Sequence, residues 1–81
     1  MQVSIRFYSH LSTLIGAQQV VLDLPEAARL NDLTQQLVKS YPQHTALIEQ
    51  LVFLADGRSI TEQTELTDGA KLVAVMILSG G

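Results

Sequence analysis

Cysteine is absent from this 81-residue sequence. Its absence excludes disulfide bonds, a thiolate nucleophile and cysteine-based zinc sites. It also means that any sulfur carried by this chain cannot be held on a side-chain thiol. Histidine is scarce as well, since only His10 and His44 occur. They lie far apart and lack the spacing of a ligand set, so no metal site is predicted.

Positive charge is limited, and the formal net charge is -3. The basic residues are scattered, whereas a nucleic-acid-binding protein normally carries them as a stripe or patch. We therefore expect no nucleic-acid partner. The five basic residues are Arg6, Arg29, Lys39, Arg58 and Lys71.

Long apolar runs are also missing. The longest, Leu72 to Leu78, is far shorter than the roughly 20 residues that a membrane-spanning helix needs. The first residues, Met-Gln-Val-Ser-Ile, contain no basic segment leading into an apolar run of signal-peptide type. These features predict a cytoplasmic protein without a membrane partner.

Hydrophobic residues make up 47% of the chain and charged residues 16%, which is typical of a folded globule. The length suits one domain. We predict one domain over residues 1–77, followed by a flexible tail over residues 78–81 that ends in Gly-Gly.

Two segments near the start alternate between apolar and polar residues. Residues 3–7 place valine, isoleucine and phenylalanine on one face, so Phe7 is predicted to lie in the core. Residues 20–24 alternate in the same way until Pro25, which ends a strand. A short connection between them favours an antiparallel pair.

The connection between these strands has the pattern of a short helical turn. Ser9 is a suitable N-terminal cap, and Gly16 suits the left-handed residue that follows a helix. Leu11, Leu14 and Ile15 are predicted to share its inner face.

One substantial helix is predicted in the middle of the chain. Leu30, Leu33 and Leu37 recur at helical spacing, Ala27 is a compatible neighbour, and Pro42 forces the stop. The helix should pack this leucine stripe on the sheet.

The second half of the chain contains shorter apolar segments. Residues 46–51 suit a further helical turn, and residues 52–55 suit a strand. The Asp-Gly pair at 56–57 favours a tight hairpin to a return strand at 58–60. After a turn at 67–69, residues 71–78 are apolar on both alternating faces, which predicts a central strand covered on both sides.

The order is therefore strand, strand, helix, short strands and a hydrophobic final strand. We predict an α+β protein of the β-grasp (ubiquitin-like) class. Its mixed sheet should have four to five strands, with one main helix packed on it.

The tail gives this domain its most specific chemical feature. The sequence stops after Ser79, Gly80 and Gly81. Glycine lacks a Cβ and can thread a narrow channel, and four extended residues reach about 13 Å. Transfer of the terminal carboxylate to ATP would give an acyl-adenylate that a persulfide could attack. The alternative is a polar stub of the kind found at many chain ends.

Four stretches together make the sequence resemble the MoaD/ThiS sulfur-carrier family. They are Val-Ser-Ile-Arg-Phe-Tyr at 3–8, Leu-Asp-Leu-Pro-Glu at 22–26, Leu-Thr-Asp-Gly at 66–69 and Ser-Gly-Gly at 79–81. The resemblance spans essentially the whole chain. Within the family it is greatest to the small subunit of molybdopterin synthase.

This resemblance implies a thiocarboxylate on Gly81. It implies adenylation by a ubiquitin-activating-type enzyme that uses ATP, a persulfide or rhodanese-type sulfur donor, and delivery to the large subunit of molybdopterin synthase. The chain would bind no cofactor and would not be catalytic alone. The tail residues Ser79, Gly80 and Gly81 would enter the partner's active site. From the residues themselves, Tyr8, Met76 and Leu78 are candidates for an exposed apolar patch that docks the partner, and ordinary packing is the alternative.

Several positions depart from the family pattern. Aliphatic residues occupy 73–75 where the family usually has aromatic ones, Met-Ile at 76–77 replaces the common Pro-Pro, and Arg29 replaces the usual capping threonine. These changes leave other recipients open, namely thiamine, cysteine or another thio-metabolite. A ubiquitin-like modifier joined to proteins through Gly81 and a passive binding module are further alternatives.

Overall fold

The structure, a computed structural model, describes residues 1–8 and 10–76. A 3-10 turn at Pro42–His44 links the second and third helices. The strands and α-helices in chain order are β1 (Gln2–Phe7), α1 (His10–Ile15), β2 (Gln19–Asp23), α2 (Leu30–Ser40), α3 (Thr45–Glu49), β3 (Leu51–Ala55), β4 (Arg58–Ser59) and β5 (Lys71–Met76).

The five strands form one mixed sheet in the order β2-β1-β5-β3-β4. β1 pairs with β5 in parallel, and every other pair is antiparallel. The first strand and the last therefore lie side by side in the middle of the sheet. This is the β-grasp arrangement, which confirms the fold class predicted from the sequence.

A single hydrophobic core lies between the sheet and the helices. The inner face of the two central strands contributes alternate residues, and α2 contributes its leucine stripe, as predicted. Phe7 is buried in this core as expected. The largest side chains with less than 2% exposure are Val3, Ile5, Leu33, Leu37, Ile48 and Leu72.

Helix α1 differs from its prediction at one residue. Leu11 and Ile15 are buried, but Leu14 is 51% exposed. In so short a helix, residues four apart lie above one another and form the line of contact with the core, so Leu14 points away from it. Gly16 follows the helix with a φ of 89°, as the sequence predicted.

Helix α2 starts later than Ala27. The N–H of Ala28 donates to the carbonyl oxygen of Pro25 over 3.2 Å, which closes a turn before the helix. Ala27 occupies that turn with a φ of 64°. A left-handed φ is costly for a residue with a Cβ and is incompatible with a right-handed helix. The prediction that Ala27 is a helical neighbour is therefore wrong.

The first N–H groups of α2 bond to a distant loop. Leu30 and Asn31 donate to the carbonyl oxygens of Thr64 and Glu62, each over 3.0 Å. The Asp32 carboxylate accepts from the Arg29 N–H at 2.9 Å. The loop therefore satisfies groups that a capping side chain at Arg29 would otherwise have to satisfy.

Two turns set the ends of the later strands. Asp56 and Gly57 have φ values of 52° and 79°, which is the predicted type I′ hairpin. At the other turn, Asp68 accepts from the N–H of Gln2 over 2.8 Å. Gly69 donates to the carbonyl oxygen of Gln2 over 2.7 Å. The second turn thereby positions the start of β5 beside β1.

Candidate functional site

The face of the sheet turned away from the helices is open. Leu72 and Ala74 of β5 join the core, whereas Val73 and Val75 point to the opposite side and are only half-buried. All three α-helices contribute their buried residues to the same core cluster. Among the described residues, the prediction that β5 is covered on both faces is therefore wrong.

Four aliphatic side chains form a patch on this face. Val75 lies opposite Val52, and Val73 lies opposite Leu54, across the antiparallel pair of β5 and β3. Directly opposed side chains are close enough to shield each other, which accounts for their partial burial. We call Val52, Leu54, Val73 and Val75 the open-face patch.

Two cations lie on the same face. Arg6 of β1 lies opposite Val73 of β5. Lys71 lies opposite Ser4, two residues before this pair on each strand. The guanidinium carbon of Arg6 lies 5.2 Å from the centroid of the Tyr8 ring, within the range of a cation–π contact. Two positive charges therefore lie beside the open-face patch, whereas the carboxylate of this face, Asp23, lies on the edge strand β2 opposite Gln2.

The predicted docking residues are distributed between two environments. Tyr8 is 47% exposed and adjoins the open-face patch through Arg6. Met76 pairs with Leu51, is partly buried and packs against the core. Leu78 lies outside the described residues, and the docking role of all three stays a prediction.

The predicted tail residues Ser79, Gly80 and Gly81 also lie outside the described residues, which end at Met76. Met76 follows Val75 as the last described residue of β5. The open-face patch therefore occupies the strand segment that leads to the tail in sequence.

A groove of about 700 Å³ lies on the helix side of the sheet. Its apolar lining comes from α2, α3, β3 and the residue after β4, and polar residues such as Thr34 and Glu62 also line it. Within residues 1–8 and 10–76, no three His, Asp or Glu side chains come together as a metal site would require. The apolar lining includes Leu30, Val38, Ile48, Phe53 and Ile60.

The described part of the chain thus contains an exposed aliphatic patch and an apolar groove. It contains no buried polar or charged residue, whereas a group tuned for catalysis is normally partly buried beside a partner. It also contains no helix of the length and apolarity that crossing a membrane requires.

Sequence reasoning missed the open-face patch because β5 is apolar at every position from 72 to 76. Such a run is typical of a strand buried on both faces. Residues 51–55 of β3 are equally apolar, so the sequence contains no signal that separates the outward side chains of either strand from the core. The two apolar strands are adjacent, and helices cover only one side of the sheet. Their outward side chains therefore form an exposed aliphatic surface.

Comparison with known proteins places this geometry in a family. The model of the ThiS family matches residues 5–81. A search of the curated proteins finds no match.

Solved structures share the fold along the whole chain. SAMP1 from Haloferax volcanii has a TM-score of 0.85 at 18% identity, with full coverage of both chains. A putative molybdopterin converting factor subunit 1 from Pyrococcus furiosus has a TM-score of 0.80 at 20% identity, covering 96% of this chain and 99% of that one.

A third structure is a complex. It contains subunits 1 and 2 of the molybdopterin-converting factor from Helicobacter pylori, and the matched chain has a TM-score of 0.69 at 17% identity with full coverage of both chains. At such identities these likenesses establish the fold alone.

Proposed function

This chain belongs to the ThiS family of MoaD/ThiS-type sulfur carriers, and we propose that it carries sulfur as a thiocarboxylate on Gly81. The observation that carries the proposal is the family match, which runs from β1 through Gly80 and Gly81. The lack of cysteine agrees with it, because no thiol of this chain can hold the sulfur.

The chemistry proceeds on the C-terminal carboxylate. A carboxylate oxygen attacks the α-phosphate of ATP, pyrophosphate leaves, and an acyl-adenylate forms. The terminal sulfur of a persulfide then attacks the acyl carbon, and AMP leaves. A second thiol reduces the resulting acyl disulfide, which releases the thiocarboxylate and a new disulfide. The reactive form in these steps is a cysteine thiolate. Because this chain has no cysteine, partner enzymes supply it.

The open-face patch is the docking surface in this scheme. Its aliphatic side chains supply apolar area, and Arg6 and Lys71 add positive charge beside it. A partner of complementary chemistry would present apolar side chains with carboxylates at the rim. A ubiquitin-activating-type adenylating enzyme would use this surface first, and the sulfur-accepting enzyme would use it next.

We propose molybdopterin synthesis as the recipient pathway, with this chain as the small subunit of the synthase. Two fold neighbours support the choice: the putative subunit 1 from Pyrococcus furiosus, and the chain in complex with subunit 2 from Helicobacter pylori. The large synthase subunit would then be the sulfur-accepting partner.

Intact mass spectrometry after co-expression with an adenylating enzyme and a persulfide donor tests the carrier function. We expect one oxygen of the chain to be replaced by sulfur, and fragmentation should localise the change to Gly81. A variant with one alanine appended after Gly81 is the control and should stay unmodified. Equal sulfur incorporation in both proteins would overturn the proposal.

A matched pair of substitutions tests the docking surface. Tyr8 and Leu14 are 47% and 51% exposed, but only Tyr8 contacts Arg6 on the open face. We expect Tyr8→Asp to weaken binding to the adenylating enzyme, and Leu14→Asp to leave it unchanged. Both should melt near the parent temperature, because neither side chain is buried. Equal binding by the two variants would remove the open face from the mechanism.

Protein modification is the second candidate, and a specific observation favours it. The fold neighbour SAMP1 is a small archaeal modifier protein, and its TM-score of 0.85 exceeds that of both molybdopterin-related structures. In this alternative a substrate lysine, instead of a persulfide, attacks the acyl-adenylate or its thioester. High-mass conjugates that disappear on deletion of Gly81 would identify this activity.

A further inference from the structure

The sheet has two edges, and they differ in how well they are protected. β4 forms one edge, contains only Arg58 and Ser59, and is followed by the loop that bonds to α2. β2 forms the other edge, with five residues, a single charge at its end (Asp23) and neither proline nor lysine. Proteins normally shorten or charge such edges, because unpaired backbone groups invite another strand.

The hydrogen bonds of the hairpin identify which groups of β2 are unpaired. Phe7 donates to the carbonyl oxygen of Gln18, and Leu24 donates to that of Met1, over 2.9 and 2.8 Å. Bonded and non-bonded pairs alternate along an antiparallel ladder, so Val20 and Leu22 bond to β1. The N–H and C=O groups of Gln19, Val21 and Asp23 therefore point outward in the plane of the sheet, away from β1.

The side chains on this edge are compatible with a second copy of the same strand. An antiparallel two-fold axis at Val21 would pair Val21 with its equivalent, and Gln19 with Asp23 of the other copy. Val21 is 55% exposed, so an apolar pair would be covered. Gln19 can donate its amide to the opposite carboxylate, and no like charges face each other.

This register is also the one that uses the whole strand. Moving the axis by one residue towards the C-terminus would place Pro25, which has no N–H, opposite Gln19. Moving it the other way would carry Asp23 beyond the start of the partner strand, opposite Ala17. The central register alone pairs all of Gln19–Asp23.

We propose that this chain self-associates through β2 into a two-fold dimer with one continuous sheet. The axis is perpendicular to the sheet, so the open faces of both copies lie on one side and the helices on the other. The open-face patch on β5 and β3 stays uncovered, which leaves the dimer compatible with partner docking. An interface of one short strand is smaller than the ~1,200 Å² of stable complexes, so the dimer is weak.

Sedimentation of the full chain between about ten micromolar and one millimolar tests the dimer. We expect a reversible rise in mass with concentration. Val21→Lys should abolish it, because two lysines would face each other at the axis. Leu14→Lys is the matched control, since Leu14 is equally exposed on α1, and it should dimerise like the parent. A monomeric parent, or equal loss in both variants, would overturn the proposal.

A second variant tests the register. Gln19 lies opposite Arg6 within the chain, so Gln19→Asp adds a favourable intramolecular pair and should keep the fold intact. Between copies it places two carboxylates opposite each other, twice by symmetry, and should weaken dimerisation about 2- to 10-fold. Unchanged or tighter association would contradict the register.

Amide hydrogen exchange measured at low and high protein concentration supplies a readout for single residues. Val20 and Leu22 should be protected at both concentrations, because they bond to β1. Gln19, Val21 and Asp23 should gain protection only at high concentration. A concentration-dependent gain elsewhere, with Val21 unprotected, would place the association on another surface and refute pairing through β2.

Discussion

Ala27 is the residue whose replacement should stabilise this protein. It has a φ of 64°, next to a hydrogen bond from Ala28 to Pro25 that closes the turn. A turn whose third residue has positive φ is of the type II class, in which glycine is the usual residue at that position. The Ala27 side chain is exposed, so Ala27→Gly removes backbone strain without a loss of packing.

The magnitude follows from two opposing effects. A left-handed conformation costs an L-residue about 1–2 kcal/mol, and glycine avoids this cost. Glycine also gives the unfolded chain more freedom, which lowers stability by about 0.4–1 kcal/mol. The net expectation is a gain of about 0.5–1 kcal/mol in the free energy of unfolding. For a domain of this size the melting temperature should rise by about 2–8 °C.

Urea denaturation followed by circular dichroism measures the change. Ala46→Gly is the matched control, because Ala46 is also exposed but lies inside helix α3. There the same substitution should cost about 0.5–1 kcal/mol. Opposite signs for the two variants are the expected result. A loss of stability in Ala27→Gly comparable with that in Ala46→Gly would refute the strain at position 27.

Three further substitutions test the fold around the site. Asp32→Ala should cost about 1 kcal/mol in urea denaturation, since its carboxylate accepts from the Arg29 N–H; no change would show that the distant loop suffices. Leu33→Ala should cost about 2–5 kcal/mol, because Leu33 has 0% exposure, and a smaller loss in thermal melting would mean that the core readjusts. Gly57→Ala should cost about 1 kcal/mol from its φ of 79° alone, as no atom lies within 4 Å of the added Cβ.

The sequence predicted those elements whose signals are local. Alternation at 3–7 and the stripe of Leu30, Leu33 and Leu37 reflect single periods, and the structure follows both. The hairpin turn at Asp-Gly 56–57 was also predicted correctly, because few residues tolerate the positive φ that such a turn requires. The family resemblance rested on motifs of this local kind, and the match over residues 5–81 confirms it.

The errors arose where distant segments decide the outcome. The start of α2 depends on carbonyl groups of Thr64 and Glu62, more than thirty positions away. The identity of residue 27 does not indicate that the helix begins after it, because alanine is the best helix former. The exposure of Val73 and Val75 depends in the same way on which face the helices cover, and a strand that is apolar on both faces does not reveal this.

β5 connects stability to the proposed function through the alternation of one strand. Leu72 and Ala74 anchor it in the core, while Val73 and Val75 belong to the open-face patch, and the next residues lead towards Gly81. Because β5 pairs with β1 on one side and β3 on the other, its register is fixed from both directions. A slip of one residue would exchange the core and patch residues. The core therefore fixes which side chains of β5 belong to the open-face patch.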